Sequence, residues 1–288
     1  AGALNTATNY KSSKNILLKF RPDLKVEEIT SHFLQEFETW YIQNHGGVLT
    51  ATLAIYLRPL RAVLNELKDN GKLPEGYLYP FGRYRYVIPE VRRAKTTLKR
   101  DEIVKILELN DFTSHDEEFA RDIWAFQFYC NGINLKDLIK LKWSDRVGES
   151  FVIRREKTKN TTRGNPQVVR IPITEKLNRY LSKIGHKDSP YVLGFLKENS
   201  MESTVLNKKC KVAKFINRNL IELGERLGLS VKLTTKVTRD AYATTLKKGN
   251  VSIEKIAEMM GHTSTTVTKN YLDSFDQEQI HEINQVLP

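Results

Sequence analysis

Four polar side chains near the C-terminal end stand at spacings that suit phosphodiester chemistry: Lys236, Arg239, His262 and Tyr271. Lys236 and Arg239 are three residues apart, so on a helix they share one face. Thr234 or Thr235 can cap that helix and Gly249 can end it. Arg239 then falls in the first turn, where the helix dipole and unbonded N–H groups favour an anion. Ile253, Ile256, Ala257 and Met260 recur at helical spacing until Gly261 stops a second helix. His262 follows that turn directly, and Tyr271 comes nine residues later. A tyrosine can attack phosphorus to give a phosphotyrosyl enzyme that keeps the ester energy for rejoining. Fixed cations around the non-bridging oxygens stabilise the doubly charged transition state.

The stretch 233–272 resembles the C-terminal half of the catalytic domain of tyrosine recombinases (phage integrases). That family shows a box H/K-x-x-R, an apolar helix, a G-H turn and a tyrosine about nine residues on. Lys236-Val237-Thr238-Arg239, Gly261-His262 and Tyr271 fill those slots in order. Several matches in one order weigh more than a lone short motif, against the plain alternative of a helical bundle with chance polar residues. The resemblance implies Tyr271 as nucleophile, Arg239 as the transition-state cation and His262 as a hydrogen-bond donor to the phosphate. Lys236 takes a slot held by histidine or lysine, positioning the phosphate or helping to take the tyrosine proton. Lys157, in Lys157-Thr158, matches the hairpin lysine that would protonate the departing 5′ oxygen; the alternative is a solvated strand lysine. The implied product is a 3′-phosphotyrosyl bond, made without metal, ATP or other cofactor. The sequence accordingly shows neither a P-loop nor a convincing cluster of metal carboxylates.

One departure stands out. The family expects G-x-R-x-S/D-E-L, and Gly132, Ile133, Leu135, Asp137 and Leu138 fit it, but Asn134 holds the arginine position. That arginine normally clamps the scissile phosphate. Arg155 is the expected substitute, because it lies two residues before Lys157 and positions i and i+2 of a strand share a face. Its guanidinium can bind phosphate through two donors, whereas Arg154 faces the other way. The alternative has Arg155 on a neighbouring backbone phosphate outside the catalytic site.

The elements that must position these groups follow from pattern. At 288 residues, 40% hydrophobic, the chain is long enough for two domains with proper cores. A formal net charge of +12 favours a polyanionic partner, most commonly nucleic acid, although charge alone does not separate DNA from RNA or an anionic membrane. No apolar run approaches the ~18 residues that span a bilayer, and no signal peptide opens the chain. Cys130 and Cys210 give no metal spacing and suit a reducing cytoplasm.

The expected fold is mainly α with a small antiparallel β-sheet: a helical core-binding domain followed by an α+β catalytic domain. Residues 1–15 are polar and unpatterned and read as a flexible lead-in. The start without methionine suggests a processed or truncated chain, and the resemblance implies a missing N-terminal arm-binding domain. Residues 16–88 form the helical core-binding (SAM-like) domain, with helices over 31–43 and from a Thr50 cap to 70, the latter kinked or leaning at Pro59. Arg58 and Arg61, in a run resembling the core-binding domain of integrases, could reach phosphates together; singly they are as well read as solvated. A basic linker over 89–97 carries Arg92, Arg93 and Lys95 and suits a strap along DNA. The catalytic domain spans 98–273, with a buried helix over 119–130, a hairpin over 151–158 and 168–173, and helical stretches at 174–181 and 208–227. Lys208 and Lys209 are expected to face DNA. Residues 274–288 form an amphipathic tail for docking on a neighbouring protomer, with docking on its own domain as the alternative.

The reading is a site-specific DNA recombinase, the integrase of a mobile element, narrowly resembling integrases of Bacteroides-type conjugative or mobilisable transposons. Its implied partners are double-stranded DNA at element ends and target site, a homo-tetramer in the synaptic complex, and host bending or directionality factors, with no membrane. The implied location is the bacterial cytoplasm, on DNA. The competing readings are a type IB topoisomerase and an architectural DNA-binding protein that has lost catalysis.

Overall fold

The computed structural model describes residues 2–47, 51–90, 97–154, 168–262 and 264–269. The chain divides into two compact units, one within Gly2–Arg93 and the other from Ala94 on.

The first unit is helical. Helix α1 runs Gly2–Phe20, α2 Ser31–Asn44 and α3 Ala51–Asp69. Thr30 caps α2 by accepting from the Phe33 amide at 3.1 Å. Phe33, Leu34, Phe37 and Tyr41 of α2 then meet Leu53, Leu57, Leu60 and Leu64 of α3 in one apolar cluster. The expected lead-in over 1–15 is instead the greater part of α1. Its buried face is narrow, Ser13 and Leu17 one turn apart, and one of those is polar, so no apolar period shows in the sequence. Ser13 is held because its hydroxyl donates to the Tyr56 carbonyl of α3 at 2.6 Å. The Phe20 ring closes the end of α1 against Phe33, Phe37 and Trp40.

The second unit is built on a buried helix. After α4 (Arg100–Glu108) comes α5 (His115–Tyr129), whose residues from Ala120 to Phe128 are all buried. Ser114 caps α5 by accepting from the Glu117 amide at 3.1 Å. Arg121, buried in α5, ends α4 by donating to the carbonyls of Ile106, Leu107 and Leu109. Helix α6 (Leu135–Ile139) leads to a three-stranded antiparallel sheet of β1 (Arg146–Val147), β2 (Ser150–Arg154) and β3 (Val168–Pro172). Phe151 pairs with Ile171 and Ile153 with Val169, and all four are buried on one face. Helices α7 (Glu175–Ile184) and α8 (Glu202–Arg226) pack against α5. Three short helices close the described chain: α9 (Val237–Lys248), α10 (Ile253–Met259) and α11 (Thr265–Lys269).

Helix α9 starts later than its sequence suggests. Neither Thr234 nor Thr235 caps it, because the Thr235 hydroxyl and amide both donate to the Asn217 side-chain carbonyl of α8, at 3.0 and 2.9 Å. A turn from Thr234 carries the chain into Val237 instead.

The turn after α5 uses two consecutive left-handed residues, Asn131 at φ 56° and Gly132 at φ 58°. A Cβ at Gly132 would meet the Tyr242 Cβ at 3.0 Å and the Arg239 Cα at 3.2 Å, so α9 and this turn touch through backbone. Gly148 has the same φ of 58° but open space around it. Gly148→Ala should therefore carry only the left-handed penalty, about 1 kcal/mol, and lower the melting temperature by roughly 2–4 °C. Gly132→Ala adds an overpacked contact of about 1–3 kcal/mol and should lower it at least twice as far in a thermal melt. Equal shifts would mean that the close approach of α9 contributes nothing.

Candidate active site

Two buried amides of the α5 end gather the loops that carry the site. Gln127 donates to the Ile133 carbonyl at 2.7 Å and to the Thr235 carbonyl at 3.0 Å, joining the segment before α6 to the segment before α9. Asn131 donates to the Arg170 carbonyl of β3 and the Met259 carbonyl of α10, both at 3.1 Å, and accepts from the Tyr242 hydroxyl at 3.2 Å. Burial pushes the Tyr242 phenol well up, against the pull of the nearby Arg239 charge, so it remains a donor. Backbone groups from four separate segments thus hang on two side chains.

Within that frame Arg239 and His262 are each 4% exposed. The Arg239 guanidinium donates through Nη1 to the Gly132 carbonyl at 2.8 Å. Through Nη2 it donates to the Met260 carbonyl at 2.9 Å and meets His262 Nε2 at 2.7 Å. A guanidinium has no acceptor, so the hydrogen-bond network assigns Nε2 as acceptor and places the ring proton on Nδ1. Nδ1 in turn donates to Thr268 Oγ1 of α11 at 2.8 Å, and Thr268 is fully buried.

Backbone geometry puts His262 there. Met260 caps α10 and Gly261 turns left-handed at φ 64°. The Gly261 amide donates to the Glu258 carbonyl at 2.9 Å and the His262 amide to the Ala257 carbonyl at 2.8 Å, a paired closure of the helix end that fixes where the imidazole starts.

The other expected residues fall in different places. Lys236 is exposed at the N-cap of α9, one position before the helix, while Arg239 points inward. Asn134 is half-buried at the N-cap of α6, and its side chain forms no capping hydrogen bond. Arg154 is exposed at the end of β2, next to the buried Ile153. Tyr271, Lys157 and Arg155 lie outside the described residues, as do Arg92, Arg93 and Lys95. Arg58 and Arg61 are exposed on α3, Lys208 is exposed on α8 and Lys209 is half-buried there. The structure therefore brings together Arg239 and His262, with Gly132 beside them.

Sequence reasoning missed Gln127, Asn131, Asn217 and Thr268. An asparagine before a glycine at the end of an apolar helix signals a left-handed turn, so Asn131 had a local sign. The other three lie within helical patterns that carry none.

The family model described as the phage integrase family matches residues 96–278, and that of the phage integrase SAM-like domain matches residues 1–84. The chain belongs to the phage integrase family. A tyrosine recombinase of Pseudothermotoga lettingae is 23% identical over 276 residues, covering 92% of this chain and 85% of that protein. Tyrosine recombinase XerA of Pyrococcus furiosus is 27% identical over 179 residues, covering 61% of this chain and 56% of its own. Among solved structures, a lambda integrase (75–356) dimer bound to a COC′ core site has a TM-score of 0.67 at 20% identity, covering 95% of this chain and 91% of that one. The Tn1549 transposon integrase in complex with transposon right end DNA has a TM-score of 0.66 at 16% identity, covering 99% and 94%. These likenesses show a shared fold. Among the described residues no helix is long and apolar enough to cross a membrane.

Thr268→Val should remove the acceptor for His262 Nδ1–H at nearly constant volume. Leaving that buried donor unmatched costs about 1–3 kcal/mol, so the variant should melt lower and form covalent DNA adduct more slowly, while Thr268→Ser stays near the parent. A valine variant with parental melting and adduct rate would show that the hydroxyl does not hold the ring.

Proposed function

We propose that the chain is a site-specific DNA recombinase, the integrase of a mobile element, that cuts and rejoins duplex DNA through a 3′-phosphotyrosyl intermediate. The observation that carries this is the buried pair of Arg239 and His262, 2.7 Å apart, with the guanidinium anchored to two backbone carbonyls and the imidazole to the Thr268 hydroxyl. A protein that only grips DNA is served by exposed, solvated cations. An inward guanidinium joined to an imidazole, at positions matching the family's arginine and histidine, supports chemistry on a phosphate.

In this reading Tyr271 attacks phosphorus and the scissile ester breaks at the 5′ oxygen. Lys157 gives that oxygen its proton, and Arg239 and His262 bind the non-bridging oxygens. Lys236 positions the phosphate or helps to take the tyrosine proton; its exposure at the head of α9 leaves it accessible to DNA. Neither metal nor ATP enters. Arg155 substitutes for the arginine replaced by Asn134. Arg58, Arg61, Arg92, Arg93, Lys95, Lys208 and Lys209 contact the duplex. Strand exchange takes place in a homo-tetramer on DNA in the bacterial cytoplasm, with residues 274–288 reaching a neighbouring protomer. The narrower likeness to Bacteroides-type element integrases rests on the helix around Arg58 and the Gly-Ile-Asn motif alone. A type IB topoisomerase shares this chemistry, and resolution of a synthetic four-way junction separates the two.

Tyr271→Phe should bind target DNA as the parent does yet form no covalent adduct on a nicked suicide substrate, and adduct in that variant would sink the assignment. On the same substrate, Arg155→Ala should slow adduct formation by ~10²-fold with little change in binding, as removal of a preorganised transition-state donor does. Arg154→Ala is the control. Small, equal effects from both would leave Asn134 uncompensated by this strand.

A further inference from the structure

The loop between α3 and the end of the first unit is built in an unusual way. The Arg85 amide donates to the Gly82 carbonyl at 3.1 Å, which makes Arg83 and Tyr84 the two central residues of a β-turn. The Gly82 amide donates to the Tyr86 carbonyl at 3.2 Å and the Tyr86 amide to the Pro80 carbonyl at 3.0 Å, locking the base of the loop. Phe81 and Tyr86 anchor it in the apolar cluster, and the Tyr86 hydroxyl donates to Glu38 of α2 at 2.5 Å. On this fixed base Tyr84 is 89% exposed, and the Arg83 guanidinium lies over its ring, 5.4 Å from the centroid.

The loop also joins the basic side of α3. Arg85 Nη1 donates to the Tyr79 carbonyl. The Tyr79 hydroxyl donates to Asn65, and the Lys68 ammonium stands 5.3 Å from the Tyr79 ring centre. Arg61 and Asp69 both act on the same phenol, which burial raises, the arginine charge draws back and the aspartate raises again. Arg61, Lys68 and Arg85 are thus gathered around one tyrosine, with the Arg83–Tyr84 turn beyond them.

We infer that the Arg83–Tyr84 turn is a DNA-reading tip that enters the minor groove of the duplex. The inference rests on the recombinase reading above and adds to it a base-composition preference set by one loop. A rigid loop holding a tyrosine in water gains nothing for folding, whereas tyrosine and arginine are the residue types that anchor interfaces. A two-residue tip is narrower than the helix a major groove admits and suits a groove about 6 Å wide. A narrow A·T-rich minor groove concentrates negative potential and draws in a guanidinium, and the tyrosine face beside Arg83 offers it a second favourable contact. Arg61 and Lys68 then serve the flanking phosphates, which fix register without reading sequence.

The test is selection of this chain, and of its Arg83→Ala and Tyr84→Ala variants, on a pool of duplexes carrying a randomised stretch, followed by sequencing. Both side chains are on the surface, so melting temperatures should match the parent. The parent should select a motif containing a short A·T block with a preference of roughly fivefold or more per base pair. In both variants that preference should fall to near onefold while the rest of the motif persists. An unchanged motif in the variants overturns the inference and leaves the recombinase reading standing. A uniform weakening at every position also overturns it, because that is the signature of a phosphate contact. A parent that selects no motif removes the site-specific reading itself and this inference with it.

Discussion

A buried guanidinium must have acceptors wherever it goes, and in this molecule that demand draws three distant pieces of chain to one point. Arg239 finds the Gly132 carbonyl at the end of α5, the Met260 carbonyl at the end of α10 and the imidazole of His262. Two of these are backbone groups, so the guanidinium holds main chain as well as the imidazole. Any shift of α10 relative to α9 would leave a buried charge short of partners, at a cost of about 1–3 kcal/mol for each one lost. The site is rigid because the arginine is.

The surrounding polar groups repeat this pattern one layer out. Gln127, near the end of α5, and Asn131, in the turn after it, donate to carbonyls in the segments carrying Ile133, Thr235, Arg170 and Met259. Loops near a reaction centre have no regular ladder to satisfy their backbone, and buried amides can supply that bonding. The consequence for packing is the close approach at Gly132, where a methyl group would stand only 3.0 Å from the Tyr242 Cβ of α9.

The larger elements were legible in the sequence because their apolar residues keep a regular period. Helices α2, α3 and α5 and the β2–β3 hairpin lie near where alternation or 3.6-residue spacing places them. Helix α1 was not, since a face made of Ser13 and Leu17 carries no such period. The start of α9 was misplaced for a different reason: a threonine that would cap a helix locally was taken by Asn217, and a contact between distant segments outweighed a local preference. The arginine and histidine were legible from order and spacing. Their mutual hydrogen bond, and the bond of His262 to Thr268, were not, because such contacts join residues whose separation in the chain obeys no period.

The hydrogen bonds around His262 say what the imidazole is doing in this state. One nitrogen carries the proton and gives it to Thr268; the lone pair of the other is occupied by Arg239. A ring so engaged is held in one orientation. The tautomer of the imidazole is thus chosen by its two neighbours, a cation that can only donate on one side and a hydroxyl that can accept on the other.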